Sequence, residues 1–296
     1  MALLSMTAGD TAGYRAALAP ALSKLPPGAA VTVMIHGYRF CPATPAHDPH
    51  RHILSLAPRR DCWKAVSWPR HLHLDRPGAG LGIGYGWHAR GRLADVAARA
   101  FDTGDDLAGL LRQIKRLRGD VHVNIMAHSL GSRVALAALA ALPPGHVARM
   151  ILLSGAEYRD VARAAMAAPA GRRPEVLNVT SGENAPFDAL FRLCVPAPRL
   201  ADWPLSAGLP GVAGWTDLRV DCPGTLAALR RMGLPARAPD TRVCHWSTYL
   251  RPGLFRLYRA VCDPRQPDVL DRLARALPAD APDRAVRPGA GAVTGP

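Results

Sequence analysis

The stretch Val121-His-Val-Asn-Ile-Met-Ala-His-Ser129-Leu-Gly-Ser-Arg133 decides the fold. Val121, Val123, Ile125 and Met126 give its first half the character of a buried strand. From Val134 to Leu139 the residues turn to Ala and Leu, which favour a helix. Ser129 sits where strand must hand over to helix. Small residues, Ala127 and Gly131, stand two positions to either side of it. So tight an elbow presses backbone against backbone, and a bulky side chain at either position would collide. The same constraint lifts the serine hydroxyl clear of the sheet and aims the first N–H groups of the helix at whatever binds there.

A serine so placed resembles the nucleophile elbow of the α/β-hydrolase family. The family pattern G-x-S-x-G reads here as A-H-S-L-G, alanine being the next smallest residue. A plain strand–helix turn with serine near the N-cap is the other reading of these five residues. A second β-rich run, Ala30-Val-Thr-Val-Met-Ile35, ends in His36-Gly37-Tyr38. The resemblance implies that the loop after it supplies one oxyanion N–H and the residue after the nucleophile the other, which makes Tyr38 and Leu130 the expected donors. Gly37 lets the backbone come close to a substrate. The side chain of His36 is read as packing.

The resemblance also implies a histidine base late in the chain, ahead of the last helix. His245, in Thr241-Arg-Val-Cys-His-Trp-Ser-Thr-Tyr249, fits that place before an amphipathic helix around residues 254–261. His47, His50 and His52 lie in a Pro-rich early loop, His71 and His73 in another, and His128 adjoins the serine on an elbow where neighbouring side chains point apart. The acid is expected after the strand Glu175-Val-Leu-Asn-Val-Thr-Ser181. Glu183, two residues past that strand, is the expected acid. Asp188, seven past it, is the alternative, with a helix cap as its other role. Asn184 stands at the most family-like offset but cannot carry the charge. The order Ser129, Glu183, His245 is that of this family and not of the other serine-triad folds.

Around these motifs, strand and helix alternate, which predicts an α/β fold: a mostly parallel central sheet with helices on both faces. Strands are expected at 31–36, 63–68, 121–128, 148–154, 175–181 and 216–221. Helices are expected at about 91–101, 103–118, 130–142, 157–168 and 224–232. Residues 39–60 read as loop. The glycine-dense Gly78-Ala-Gly-Leu-Gly-Ile-Gly-Tyr-Gly86 lacks the Gly-Lys-Ser/Thr of a phosphate loop and reads as flexible backbone near the site mouth. Between 186 and 214 prolines interleave with Phe187, Leu190, Phe191 and Trp203, and the resemblance implies a lid-like insertion between acid strand and histidine. One domain is expected over 1–278, with a disordered tail at 279–296.

The chain has 296 residues and a net charge of +14, yet only 3 of its 37 basic residues are Lys and the arginines are dispersed. No nucleic-acid motif accompanies the charge, so nucleic acid is not the expected partner. No apolar run is long enough to span a membrane, and the N-terminus lacks the features of a signal peptide. Six scattered cysteines form no C-x-x-C pair, which predicts reduced thiols, no metal site and a cytoplasmic setting. No cofactor is implied. The reading is therefore a serine hydrolase acting on a small-molecule acyl ester or thioester, with acyl transfer and peptidase chemistry sharing the same triad. The contrasting reading is a non-catalytic protein of the same fold that binds a ligand.

Overall fold

A computed structural model describes residues 3–59, 62–167 and 173–278 of the chain. Its elements run β1 (Leu3–Thr7), α1 (Thr11–Leu22), β2 (Ala30–Ile35), α2 (Trp68–His71), β3 (Leu81–Gly86), α3 (Leu93–Leu117), β4 (His122–His128), α4 (Leu130–Ala140), β5 (Arg149–Leu153), α5 (Arg159–Met166), β6 (Glu175–Thr180), α6 (Ala185–Cys194), β7 (Trp215–Arg219), α7 (Pro223–Arg231), α8 (Ser247–Leu250), α9 (Leu254–Cys262) and α10 (Val269–Ala276). Seven strands form one sheet in the order β1-β3-β2-β4-β5-β6-β7, and every pairing is parallel. A parallel sheet needs both faces covered. One face carries α1, α3, α4 and α5 over a core that includes Val33, Ile83, Ile125 and Leu152. The other packs Met34, Met126, Ile151 and Leu177 against the segment around Trp68 and against α9 and α10.

β3 corrects the reading of the glycine-dense run. Leu-Gly-Ile-Gly-Tyr-Gly is a buried strand with a period of two: Leu81, Ile83 and Tyr85 enter the first core, while Gly82, Gly84 and Gly86 face the second. There the loop after β2 lies directly on the backbone. A Cβ on Gly82 would come within 2.8 Å of Leu74 Cδ1, and one on Gly86 within 2.7 Å of both His50 Nε2 and Pro42 Cγ. The glycines make room for neighbours; they do not mark a flexible turn.

The strand expected at 63–68 is absent. Trp68 instead opens α2, where the Ser67 hydroxyl accepts from the Arg70 N–H at 3.2 Å. Pro69 has no N–H to give a ladder but suits the first turn of a helix. The helices expected at 91–101 and 103–118 are one, α3, of 25 residues. Gly104, close to the junction of the two expected helices, is where α3 approaches α4: a Cβ there would lie 2.5 Å from that of Ala137. Residues 185–194 form α6 within a stretch expected to be irregular. The tail expected at 279–296 lies outside the described residues.

Candidate active site

β4 ends at His128 and α4 begins at Leu130, so Ser129 alone makes the turn. Its backbone has φ 54° and ψ −125°, a conformation that a side chain tolerates only under constraint. The constraint is visible on both sides. The Ser129 N–H donates to Leu153 O at 3.0 Å, and Ser129 O accepts from Ala156 N at 3.1 Å. The small flanking residues are needed for close approach: a Cβ on Gly131 would lie 2.6 Å from His36 O, and one on Gly37 would lie 2.8 Å from Ser129 Cβ. The loop after β2 and the elbow are thus in backbone-to-backbone contact.

His36 holds that loop. It is fully buried, and burial pushes its imidazole down to about 3, so it is neutral. Its Nε2 accepts from the Trp87 N–H at 3.0 Å, which leaves the proton on Nδ1, 2.8 Å from Gly37 O. Because the peptide is trans, a Gly37 carbonyl turned toward His36 points the Tyr38 N–H the opposite way. His36 packs, as expected, and also sets the plane of that peptide.

Ser129, Tyr38, Leu130 and His245 line one cavity of about 590 Å³. Its walls are mostly apolar and aromatic, with Phe40, Phe187, Phe191, Trp246 and Tyr249 prominent. Lys64 enters from the loop after β2, its Nζ 3.4 Å from the centre of the Trp246 ring. Among the described residues Ser129 Oγ has no hydrogen-bond partner, and apo sites often hold such contacts loosely. His245 lies in the turn before α8. Phe187 stacks on its ring at 4.6 Å and 25°. His128 packs on it at 4.7 Å and donates through Nε2 to His245 O at 3.1 Å. Burial, then the proximity of His128 and Lys64, holds the His245 imidazole well below 6.5, so it is a neutral base at pH 7.

The acid departs from expectation. Glu183 does not reach His245. Its carboxylate accepts from Ser181 Oγ at 2.7 Å and Thr241 Oγ1 at 2.9 Å, and pairs with Arg251. The Glu183 carbonyl accepts from Cys244 N at 3.0 Å. Glu183 therefore anchors the loop that carries the histidine. A tight 3-10 turn over Gly182–Asn184, capped by Ser181, sets consecutive side chains about 120° apart and delivers Asn184 instead. Asn184 Oδ1 lies 2.6 Å from His245 Nδ1. Asp188, the alternative acid, touches Asn184 and not the histidine: the amide Nδ2 donates to Asp188 Oδ1 at 2.8 Å. The offset of Asn184 was the one sequence signal for its position; nothing in the sequence pointed to Arg251 or Lys64.

A family model described as alpha/beta hydrolase fold matches residues 72–184, which takes in the elbow and ends at Asn184. With an all-parallel sheet and a serine at the strained turn after β4, that match identifies the fold. The chain has the α/β-hydrolase fold. No curated protein matches it. Among solved structures, Trichoderma reesei cutinase in complex with a C11Y4 phosphonate inhibitor is similar at 9% identity and a TM-score of 0.30, over 49% of this chain and 67% of that one. Among the described residues of this hydrolase-fold protein, no helix is long and apolar enough to cross a membrane, and no group of His, Cys, Asp and Glu forms a metal-binding cluster.

Proposed function

We propose that this hydrolase-fold protein is a serine hydrolase cleaving a carboxylic ester or thioester through an acyl-enzyme. The observation that carries the reading is the strained Ser129 at the wall of a cavity that His245 also lines. Ser129 Oγ attacks the carbonyl carbon while His245 Nε2 takes its proton. The N–H groups of Tyr38 and Leu130 receive the charge that develops on the carbonyl oxygen. The tetrahedral intermediate collapses, and the leaving alcohol or thiol departs with the proton from His245. Water, deprotonated by the same nitrogen, then frees the acid and restores Ser129. The apolar walls favour an acyl chain or an aromatic group over a charged one. Phe187, Leu190 and Phe191, from the segment expected to be a lid, form one of those walls.

One observation favours the non-catalytic reading: an amide, not a carboxylate, meets His245 Nδ1. A fluorophosphonate probe separates the two. The hydrolase reading expects the probe on the peptide containing Ser129, none on Ser129→Ala, and turnover of p-nitrophenyl esters that peaks at some chain length. A folded wild type that stays unlabelled refutes it.

A further inference from the structure

The amide of Asn184 can be oriented in only one way. Asp188 Oδ1 is 2.8 Å from one end of it, and a carboxylate can only accept, so that end is the NH2. The oxygen end therefore faces His245 at 2.6 Å. An amide oxygen also can only accept, so the proton of His245 sits on Nδ1, which leaves the lone pair on Nε2. The local fold holds this chain of contacts together. Asn184 and Asp188 are an i,i+4 pair at the start of α6, where such side chains are neighbours and where the helix dipole favours a negative group. Phe187, stacked on the imidazole, belongs to the same turn. Asn184 is 2% exposed, so water does not compete for its amide.

We propose that Asn184 stands in for the triad carboxylate and that Asp188, acting through Asn184, sets the tautomer of His245. Both are positioning residues; neither reaches the reacting atoms. The inference rests on the hydrolase reading only for its effect on turnover. No proton crosses from His245 to Asn184 or Asp188. The proton taken from Ser129 Oγ stays on Nε2 until the leaving group receives it, and the two hydrogen bonds behind the ring persist throughout. A neutral partner steadies the imidazolium less than a carboxylate in direct contact would, and the Asp188 charge one amide away supplies part of the difference.

The test is 15N NMR of the full chain grown with ring-labelled histidine, with His245 assigned by its loss in His245→Gln. In the wild type at pH 7.5, Nδ1 is expected at the protonated-nitrogen shift and Nε2 at the bare-nitrogen shift. Asn184→Ala and Asp188→Asn are each expected to give a mixture of tautomers; where Asp188→Asn does not fold, Asp188→Ser replaces it. A wild-type proton on Nε2, or an unchanged tautomer in both variants, overturns the proposal. With p-nitrophenyl butyrate, each single variant is expected to lose about tenfold in kcat or more, the scale of one charge-assisted hydrogen bond, with KM little changed. Adding Asp188→Asn to Asn184→Ala should cost less than a further twofold. Fully additive losses show that Asp188 does not act through Asn184. Should the wild type resist the fluorophosphonate, the hydrolase reading falls while the tautomer measurement still decides this one.

Discussion

Glu183 and Arg251 form an ion pair whose side chains are only 5% and 4% exposed, and it fastens the histidine loop to the end of β6. Arg251 also donates to Val220 O at 2.9 Å, which ties the same loop to the residue just past β7. Removing one partner of such a pair leaves a buried charge uncompensated. Glu183→Ala and Arg251→Ala are each expected to cost about 3–5 kcal/mol in chemical denaturation. Glu183→Gln should lower stability in the same direction while leaving the His245 tautomer as it is in the wild type. A Glu183→Gln protein with wild-type stability and no turnover would restore Glu183 as the acid.

Ser129 holds a positive φ of 54° without the freedom of glycine. Ser129→Gly is therefore expected to raise stability by about 1 kcal/mol, from relief of a strain of about 1–3 kcal/mol less the added flexibility of the unfolded chain. The same variant should lose all labelling and turnover. Ser129→Ala keeps the strain and should match wild-type stability while equally inactive. Thermal melts of the three proteins in parallel check the ordering; a Gly variant that melts below the Ala variant contradicts it.

The dependence on pH follows from two opposed shifts. Burial pushes the Asp188 carboxyl up to about 6, and hydrogen bonds from Ser206 and Asn184 offset this only in part. Burial, then the proximity of His128 and Lys64, holds His245 well below 6.5, in the direction opposite to Asp188. Above about 6, Asp188 is a carboxylate and the Asn184 amide is fixed. Below it, the protonated acid can donate, and the amide is free to turn over. The acid limb of kcat/KM is expected to fall as pH drops through about 6, and in Asp188→Asn that limb should shift to lower pH at a reduced plateau. A limb that does not move in the variant belongs to His245.

Exchanging the two residues makes a sharper case. Asn184→Asp alone would set two carboxylates about 2.8 Å apart, where they must share a proton, and turnover is expected to fall at pH 7. Combined with Asp188→Asn, the carboxylate meets Nδ1 directly and the amide behind it can donate to it. That double variant should recover wild-type turnover or exceed it, with the His245 midpoint in 15N titration moved upward. A double variant no better than Asn184→Asp would show that position 184 does not govern the imidazole.

Much of the architecture was legible because it rests on contacts close in sequence. The elbow needs Ala127, Ser129 and Gly131 in one short run, and those contacts bring Gly131 against His36 O. His245 was legible from its place in the order of elements. The identity of the residue at its Nδ1 was not, because a single 3-10 turn decides whether residue 183 or 184 faces the ring, and composition carries no trace of that choice. The strand at Leu81–Gly86 was missed for a related reason: glycine is disfavoured in strands on average, and only the loop folded back from the far side of the sheet shows why three of them are required.

That loop has a consequence for how the protein can change. Residues of one segment, from Pro42 to Leu74, press on the bare face of β3 and also carry His47, His52 and Lys64 to the cavity wall. In a layout where a helix covers the sheet and a separate loop meets the substrate, the two duties mutate independently. Here they are welded. A substitution that reshapes the pocket from this side shifts the layer that seals the sheet, so new specificities reached through it carry a stability penalty, whereas changes on the α6 side at the exposed Leu190 touch neither that layer nor the core. Libraries aimed at altered substrate range are expected to yield folded variants far more often from Leu190 on α6 than from residues 42–74.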